Sequence, residues 1–260
     1  MAPRRSGSAF RTLAMAALAT FGLATTTASA QTTSDFARER RWAAEIVPSL
    51  VVGEAVTLTT DAGVSFLALH TPVPNAKRAV LLTHGPGLHP DHGIVGELRT
   101  QLADRGTTTL SLQMPVLAAD TESGEAYRAL FPDAARRIAA GIEFLRGRDT
   151  RPVAIVSHAM GSAMAYEYLR TQTDAPVAAW VALSYYGDFG DLPAFRFPIL
   201  DVYGDSDYWG IRGPAFVRAW KLRAVPGSRQ LAIADGGRFL AGGEKSVLRE
   251  VAAFLDALPK

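Results

Sequence analysis

The stretch Pro152-Val153-Ala154-Ile155-Val156-Ser157-His158-Ala159-Met160-Gly161-Ser162-Ala163 decides the architecture. Its first part, Val153 to Val156, is apolar and β-branched at both ends, as a strand buried on both faces of a parallel sheet should be. The residues from Met160 onward carry a helical pattern to about residue 172. Between them, Ser157 and Gly161 place small residues two positions on either side of Ala159, the spacing a sharp strand-to-helix turn requires. A strand, a tight turn and a helix are therefore expected, with alanine at the apex.

Working outward, the mature chain alternates strands and helices. A helix is expected over 34–47 with Ser34 as its cap. Strands over 55–59 and 64–71 flank Asp61-Ala62-Gly63, which reads as a hairpin turn. Apolar strands follow at 79–83, 107–113, 152–157, 177–184, 198–203 and 229–233. Helices are expected at 93–105, 133–147, 160–172, 213–224 and 244–258. An antiparallel entry followed by this alternation implies an open, mostly parallel sheet covered on both faces.

The first thirty residues stand apart. Arg4, Arg5 and Arg11 precede or open the apolar run Leu13 to Ala24, and Ala28-Ser29-Ala30 supplies a small-residue cleavage site. The apolar run is short of the roughly 20 residues a spanning helix needs, so residues 1–30 read as a signal peptide and 31–260 as one domain. Ser6-Gly7-Ser8 after the arginine pair favours ordinary secretion over the twin-arginine route. The expected location is the periplasm or the exterior, with no membrane span once the leader is removed.

Removing the leader takes three of the 27 basic residues and none of the 25 acidic ones, leaving 24 against 25. A near-neutral chain without a basic block and interleaved aromatics gives no support to nucleic-acid binding. The absence of Cys in an oxidising compartment means that the fold rests on its core alone.

In open parallel sheets, ligands collect at the carboxyl ends of the strands. Strand 79–83 exits into Thr83-His84-Gly85-Pro86-Gly87-Leu88-His89-Pro90-Asp91-His92, and strand 198–203 into Gly204-Asp205-Ser206-Asp207. The segment Asp235-Gly236-Gly237-Arg238-Phe239-Leu240 follows the last strand. Taken in order, these segments and the 157–161 turn resemble the α/β-hydrolase superfamily from about residue 55 to the C-terminus. There, G-x-S-x-G forms the nucleophile elbow, a His-Gly turn helps build the oxyanion hole, and the chain order is nucleophile, acid, base. The His-Pro-Asp-His loop, the exit Leu110-Ser111-Leu112-Gln113-Met114-Pro115 and the leader look like an exported bacterial family of distant hydrolase relatives.

The resemblance implies an α/β-hydrolase fold without a large lid, since the connection from Gly187 to Phe197 is short. It also implies an ancestral esterase-like pocket. Residue by residue, Ala159 stands for the nucleophile, Asp207 for the acid and Arg238 for the base. Met160 would give one oxyanion donor, beside His84, Gly85 and His158. Pro86 would carry the other but has no N–H, so only Gly87 could take over. No histidine follows His158, and a guanidinium cannot act as a base. Hence the expectation is a degraded triad on a non-catalytic binding or interaction protein, one that could take a small apolar or acyl ligand.

Two alternatives remain. Ser157, Ser162, His92 or His158 could supply a displaced nucleophile or base in a serine-type hydrolase. A metal-assisted hydrolase could use His84, His89, His92 and His158 with Asp91 and Asp207, although their spacing matches no closed metal motif. No metal or other cofactor is expected. Tyr185, Tyr186, Tyr208 and Trp209 are expected along the same edge, either covering the core or lining a pocket that includes Trp209. The loop from Pro115 to about Pro132, with Phe131 on it, is long enough to cover that edge.

Overall fold

The computed structural model describes residues 1–2, 33–121, 124–148, 152–172, 174–190 and 195–259. Nearly all of the expected leader lies outside them. The chain divides into Met1–Gln31 and Thr32–Lys260, and the second unit holds every strand and helix among the described residues.

Eight strands form one sheet: β1 (Glu54–Thr59), β2 (Ser65–Thr71), β3 (Arg78–Thr83), β4 (Thr107–Leu112), β5 (Val153–His158), β6 (Val177–Leu183), β7 (Ile199–Gly204) and β8 (Arg229–Ile233). Their spatial order is β1-β2-β4-β3-β5-β6-β7-β8. β1 and β2 form a hairpin at Gly63, whose φ of +77° suits glycine and whose N–H closes the turn on the Thr60 carbonyl at 2.9 Å. β2 runs antiparallel to β4, and all later pairings are parallel.

Helices α1 (Phe36–Ile46), α2 (Gly93–Ala103), α3 (Phe131–Arg148), α4 (Met160–Thr171), α5 (Trp209–Arg212), α6 (Ala215–Leu222) and α7 (Glu244–Asp256) complete the unit. Successive strand residues point to opposite faces, which splits the core in two. Leu81 and Ile155 pack with α3 and α4, whereas Val80, Leu82, Ala154 and Val156 pack with α2 and α7. The connection from β6 to β7 spans only 184–198 and carries no lid domain.

Three local expectations change. Ser34 does not cap α1: Asp35 accepts the Arg38 N–H at 2.9 Å, while Ser34 is buried, bonds Glu39 and takes the Val116 N–H at 2.8 Å. Phe131 opens α3 instead of lying on the preceding loop, because a 3-10 turn over Gly124–Leu130 runs straight into that helix. The helix expected over 213–224 is present as the shorter α6, and a single unexpected turn, α5, precedes it across Gly213-Pro214.

Candidate functional site

The turn between β5 and α4 has the geometry its residues foretell. Ala159, at its apex, is buried with φ 51° and ψ −116°. A non-glycine residue in such a region costs on the order of 1–3 kcal/mol and persists only where surrounding contacts fix it. Here the Ala159 N–H donates to the Leu183 carbonyl at 2.8 Å, and its own carbonyl accepts the Ser162 N–H at 3.0 Å. Gly161 is required for a separate reason: a Cβ there would lie 2.5 Å from the His84 carbonyl and 2.7 Å from that of Thr83. Helix α4 thus presses its first turn directly onto the exit of β3. The amide of Met160 opens α4, among the N-terminal donors that an α-helix cannot satisfy internally.

His84 holds the adjoining turn. Its Nδ1–H donates to the Gly85 carbonyl at 2.8 Å, and its Nε2 accepts the Met114 N–H at 2.9 Å, so both ring nitrogens are committed and the ring is neutral. Complete burial lowers its pKa from 6.5 to about 3, outweighing the Gly85 hydrogen bond. Gly85 lies against the apex: a Cβ on it would sit 3.5 Å from Ala159 Cβ and 3.4 Å from Leu88 Cδ1. Pro86 is exposed, and Gly87 turns with φ +67°.

Asp207 is buried, and its carboxylate is held by a hydroxyl and by main chain. One oxygen accepts the Ser184 hydroxyl at 2.6 Å; the other accepts the backbone N–H groups of Tyr208 and Phe239, each at 2.8 Å. The carboxylate therefore reaches the segment after β8, yet meets main chain there rather than an imidazole. Phe239 has φ 56°, and its carbonyl accepts His158 Nε2–H at 3.1 Å. Burial lowers the pKa of His158 to about 4, against the opposing pull of Phe239 and Asp207. Arg238 points outward, with its guanidinium 5.2 Å from the Phe239 ring centroid and 5.9 Å from that of Tyr208.

The remaining candidates separate. Ser157 is buried, donates to the Val181 carbonyl at 3.0 Å and accepts Trp180 Nε1–H at 2.7 Å; Ser162 is buried and donates to the Leu183 carbonyl at 3.2 Å. His89 and His92 meet edge to face, 5.3 Å apart, while Asp91 is held by Arg99 at 2.6 Å. Among the described residues, no three His, Asp or Glu side chains group as a metal site would need. Tyr185 enters the core against Trp180 and Phe189. Trp209 is 74% exposed, and its indole lies over Gly213, which has no side chain to lift it away.

Other residues that shape this edge were not singled out from the sequence. Arg38 of α1 donates to the Leu117 carbonyl at 2.9 Å and the Gly87 carbonyl at 3.2 Å, tying the cover loop to the His84-Gly85 turn. Its guanidinium also lies 4.6 Å over Trp42. Gly124, where the cover loop comes down, would carry a Cβ 3.8 Å from Met160 Cε. Arg137, fully buried, links Glu39 at 3.0 Å to the Gln113 carbonyl at 2.9 Å. Arg137 lies on the inward stripe of α3 with Ala134, Ile138 and Gly141, and that position was its one sequence signal. Replacing Arg38 with Ala is expected to cost about 1–3 kcal/mol, from two lost hydrogen bonds and the Trp42 contact. Faster amide exchange in 87–89 and 116–118, with the sheet unaffected, would accompany the loss; unchanged exchange there would refute the tie.

A cavity of about 390 Å³ opens between α1 and the β1–β2 hairpin, lined by Phe36, Ala43, Val56 and Phe66 among others. None of Ala159, Asp207 or Arg238 lines it.

Comparison with known proteins agrees on architecture. The model of the family described as Protein of unknown function (DUF3530) matches residues 8–135, ending before β5. No curated protein matches the chain in sequence. Among solved structures, Est1E from Butyrivibrio proteoclasticus is 14% identical, with a TM-score of 0.63 over 77% of this chain and 97% of its own. Dienelactone hydrolase from Anabaena variabilis is 17% identical, with a TM-score of 0.64 over 79% and 97%. A serine hydrolase without lid from Xanthomonas campestris is 14% identical, with a TM-score of 0.63 over 81% and 97%. By strand order, elbow geometry and these likenesses, the chain is an α/β-hydrolase-fold protein.

Proposed function

We propose that this chain is an exported α/β-hydrolase-fold protein that has lost its triad and acts by binding or interaction rather than hydrolysis. The carrying observation is which groups donate to Asp207. A triad acid orients an imidazole, whereas the donors to this carboxylate are the Ser184 hydroxyl and the Tyr208 and Phe239 amides, with no imidazole bonded to it among the described residues. The other positions agree: Ala159 offers no nucleophile, Arg238 no base and Pro86 no N–H. His84 and His158 are neutral rings engaged with main chain. The serine-type alternative finds no support in Ser157 or Ser162, whose hydroxyls are buried and bonded.

The purified chain is expected to hydrolyse p-nitrophenyl acetate and butyrate no faster than an unrelated protein, and a fluorophosphonate probe should leave it unlabelled. Turnover blocked by probe labelling of Ser157 or Ser162 would overturn the reading. Installing Ala159→Ser together with Arg238→His should raise activity less than about tenfold, far short of the roughly million-fold a working nucleophile and base supply. The reason is that Asp207 stays committed to Phe239. Export predicts a mature protein beginning at Gln31 in the periplasmic or extracellular fraction; an uncleaved chain in the cytoplasm would contradict it.

A further inference from the structure

Exposed aromatic side chains are not scattered over this unit. Tyr208, Trp209, Phe216 and Trp220 are 55%, 74%, 75% and 66% exposed, and the other large apolar side chains exposed among the described residues are aliphatic. All four fall within thirteen residues, at the N-cap of α5 and on α5 and α6. The amphipathic pattern of α6 explains why they are outside: Arg218 and Leu222 turn inward, leaving Phe216 and Trp220, one turn apart, on the opposite side. Trp209 lies over Gly213, and Tyr208 folds over Gly210, so the rings continue across the break between the two helices.

The charge within the patch itself has one sign, with exposed Asp205 three residues before Tyr208 and Asp188 already paired to Lys221. Residues 208–223 contain no Asp or Glu. Arg212 and Arg223 flank the rings, exposed and without an acidic partner among the described residues. Arg238 stands over Tyr208 from the neighbouring loop. Lys221 pairs with Asp188 and Arg218 with Asp201, so these two are already neutralised. Trp and Tyr carry an apolar body with a polar tip, the form that suits a membrane–water interface. Arginines at the same level attract anionic headgroups while their stems cover apolar surface. Among the described residues no helix is long and apolar enough to cross a membrane, so such an attachment would be peripheral.

We propose that the outward face of α5 and α6 is a docking surface for an anionic phospholipid bilayer, entered by Trp209, Phe216 and Trp220 and held by Arg212 and Arg223. A second copy of this chain fits the face less well, because a twofold contact would set unpaired arginines against their own counterparts. The inference does not depend on the absence of hydrolysis, and vesicle binding is read separately from ester turnover.

The test is co-sedimentation of the full chain with vesicles of phosphatidylcholine alone and with about 30 mol% phosphatidylglycerol, read beside tryptophan emission. Expected are a blue shift and at least about tenfold tighter binding to the anionic vesicles, weakened by salt. Phe216→Ser with Trp220→Ser should weaken binding about tenfold or more, as should Arg212→Glu with Arg223→Glu. These positions are exposed, so folding should be unaffected; the apolar segment 13–24 is common to all variants and cancels in the comparison. Equal binding by all variants would overturn the proposal. So would no preference for anionic vesicles, or concentration-dependent self-association abolished by the aromatic double variant.

Discussion

Taking the protein from pH 7.5 to pH 5 is expected to remove about 4 kcal/mol of folding stability, the signature of two histidines buried neutral. Burial holds the folded-state pKa of His84 near 3 and that of His158 near 4, against about 6.5 when unfolded. The unfolded chain therefore binds more protons through this window, and stability falls as pH falls. The contribution is complete above pH 6.5 and is lost progressively toward the folded values. At pH 5 each ring lies about 1.5 pH units below its unfolded pKa, which amounts to about 2 kcal/mol per ring. The structure supplies the cause independently of the shift. Protonating His84 at Nε2 would turn a donor toward the Met114 N–H it now accepts, forcing the turn at Gly85 and the exit of β4 apart. Glu39 and Asp201, both raised by burial, oppose this: their contribution is present below the unfolded pKa and is lost as pH rises through the folded one. Urea unfolding at pH 5, 6 and 7.5 measures the effect, and His158→Asn should about halve it. Stability constant between pH 7.5 and 5 would refute both neutral assignments.

Much of this fold was legible because it is local. The eight strands appear within a residue or so of where the alternation places them, and the elbow follows from the small residues at 157 and 161. What that spacing leaves open is long-range. No pattern within β3 states that it lies between β4 and β5, because pairing is decided by which helices cover which face. The roles of Arg38 and Arg137 were hidden for the same reason: each bonds partners far away in the chain, and a charged residue on a helix normally reads as solvated. The orientation of Trp209 was not legible either, because proximity to a strand exit fixes the backbone but not the side to which a ring turns.

At the candidate site the sequence could supply the identities of residues 159, 207 and 238 but not what Asp207 does in their company. The structure makes it a structural clamp, which leads to the other large expected effect. Replacing Asp207 with Ala should destabilise the protein by about 3–5 kcal/mol, because the Ser184 hydroxyl and the Tyr208 and Phe239 amides would lose their charged acceptor while staying largely buried. Phe239 and Ser184 carry positive φ, so each also needs its hydrogen bond to hold a backbone conformation that a non-glycine residue otherwise avoids. The loop carrying Arg238 should then loosen first, and with it the Phe239 carbonyl that holds His158. Asp207→Asn keeps the acceptor oxygen but loses the charge and adds an NH2 group facing either Ser184 or the amides, so it should fall between wild type and Ala. An acid kept for catalysis can be removed at little expense to stability, since its site is organised for a reacting imidazole and not for its own main chain. Chemical denaturation therefore separates the two roles: a change below about 1 kcal/mol in Asp207→Ala would return this carboxylate to the status of an idle triad acid, whereas a loss of several would show that the fold now depends on it.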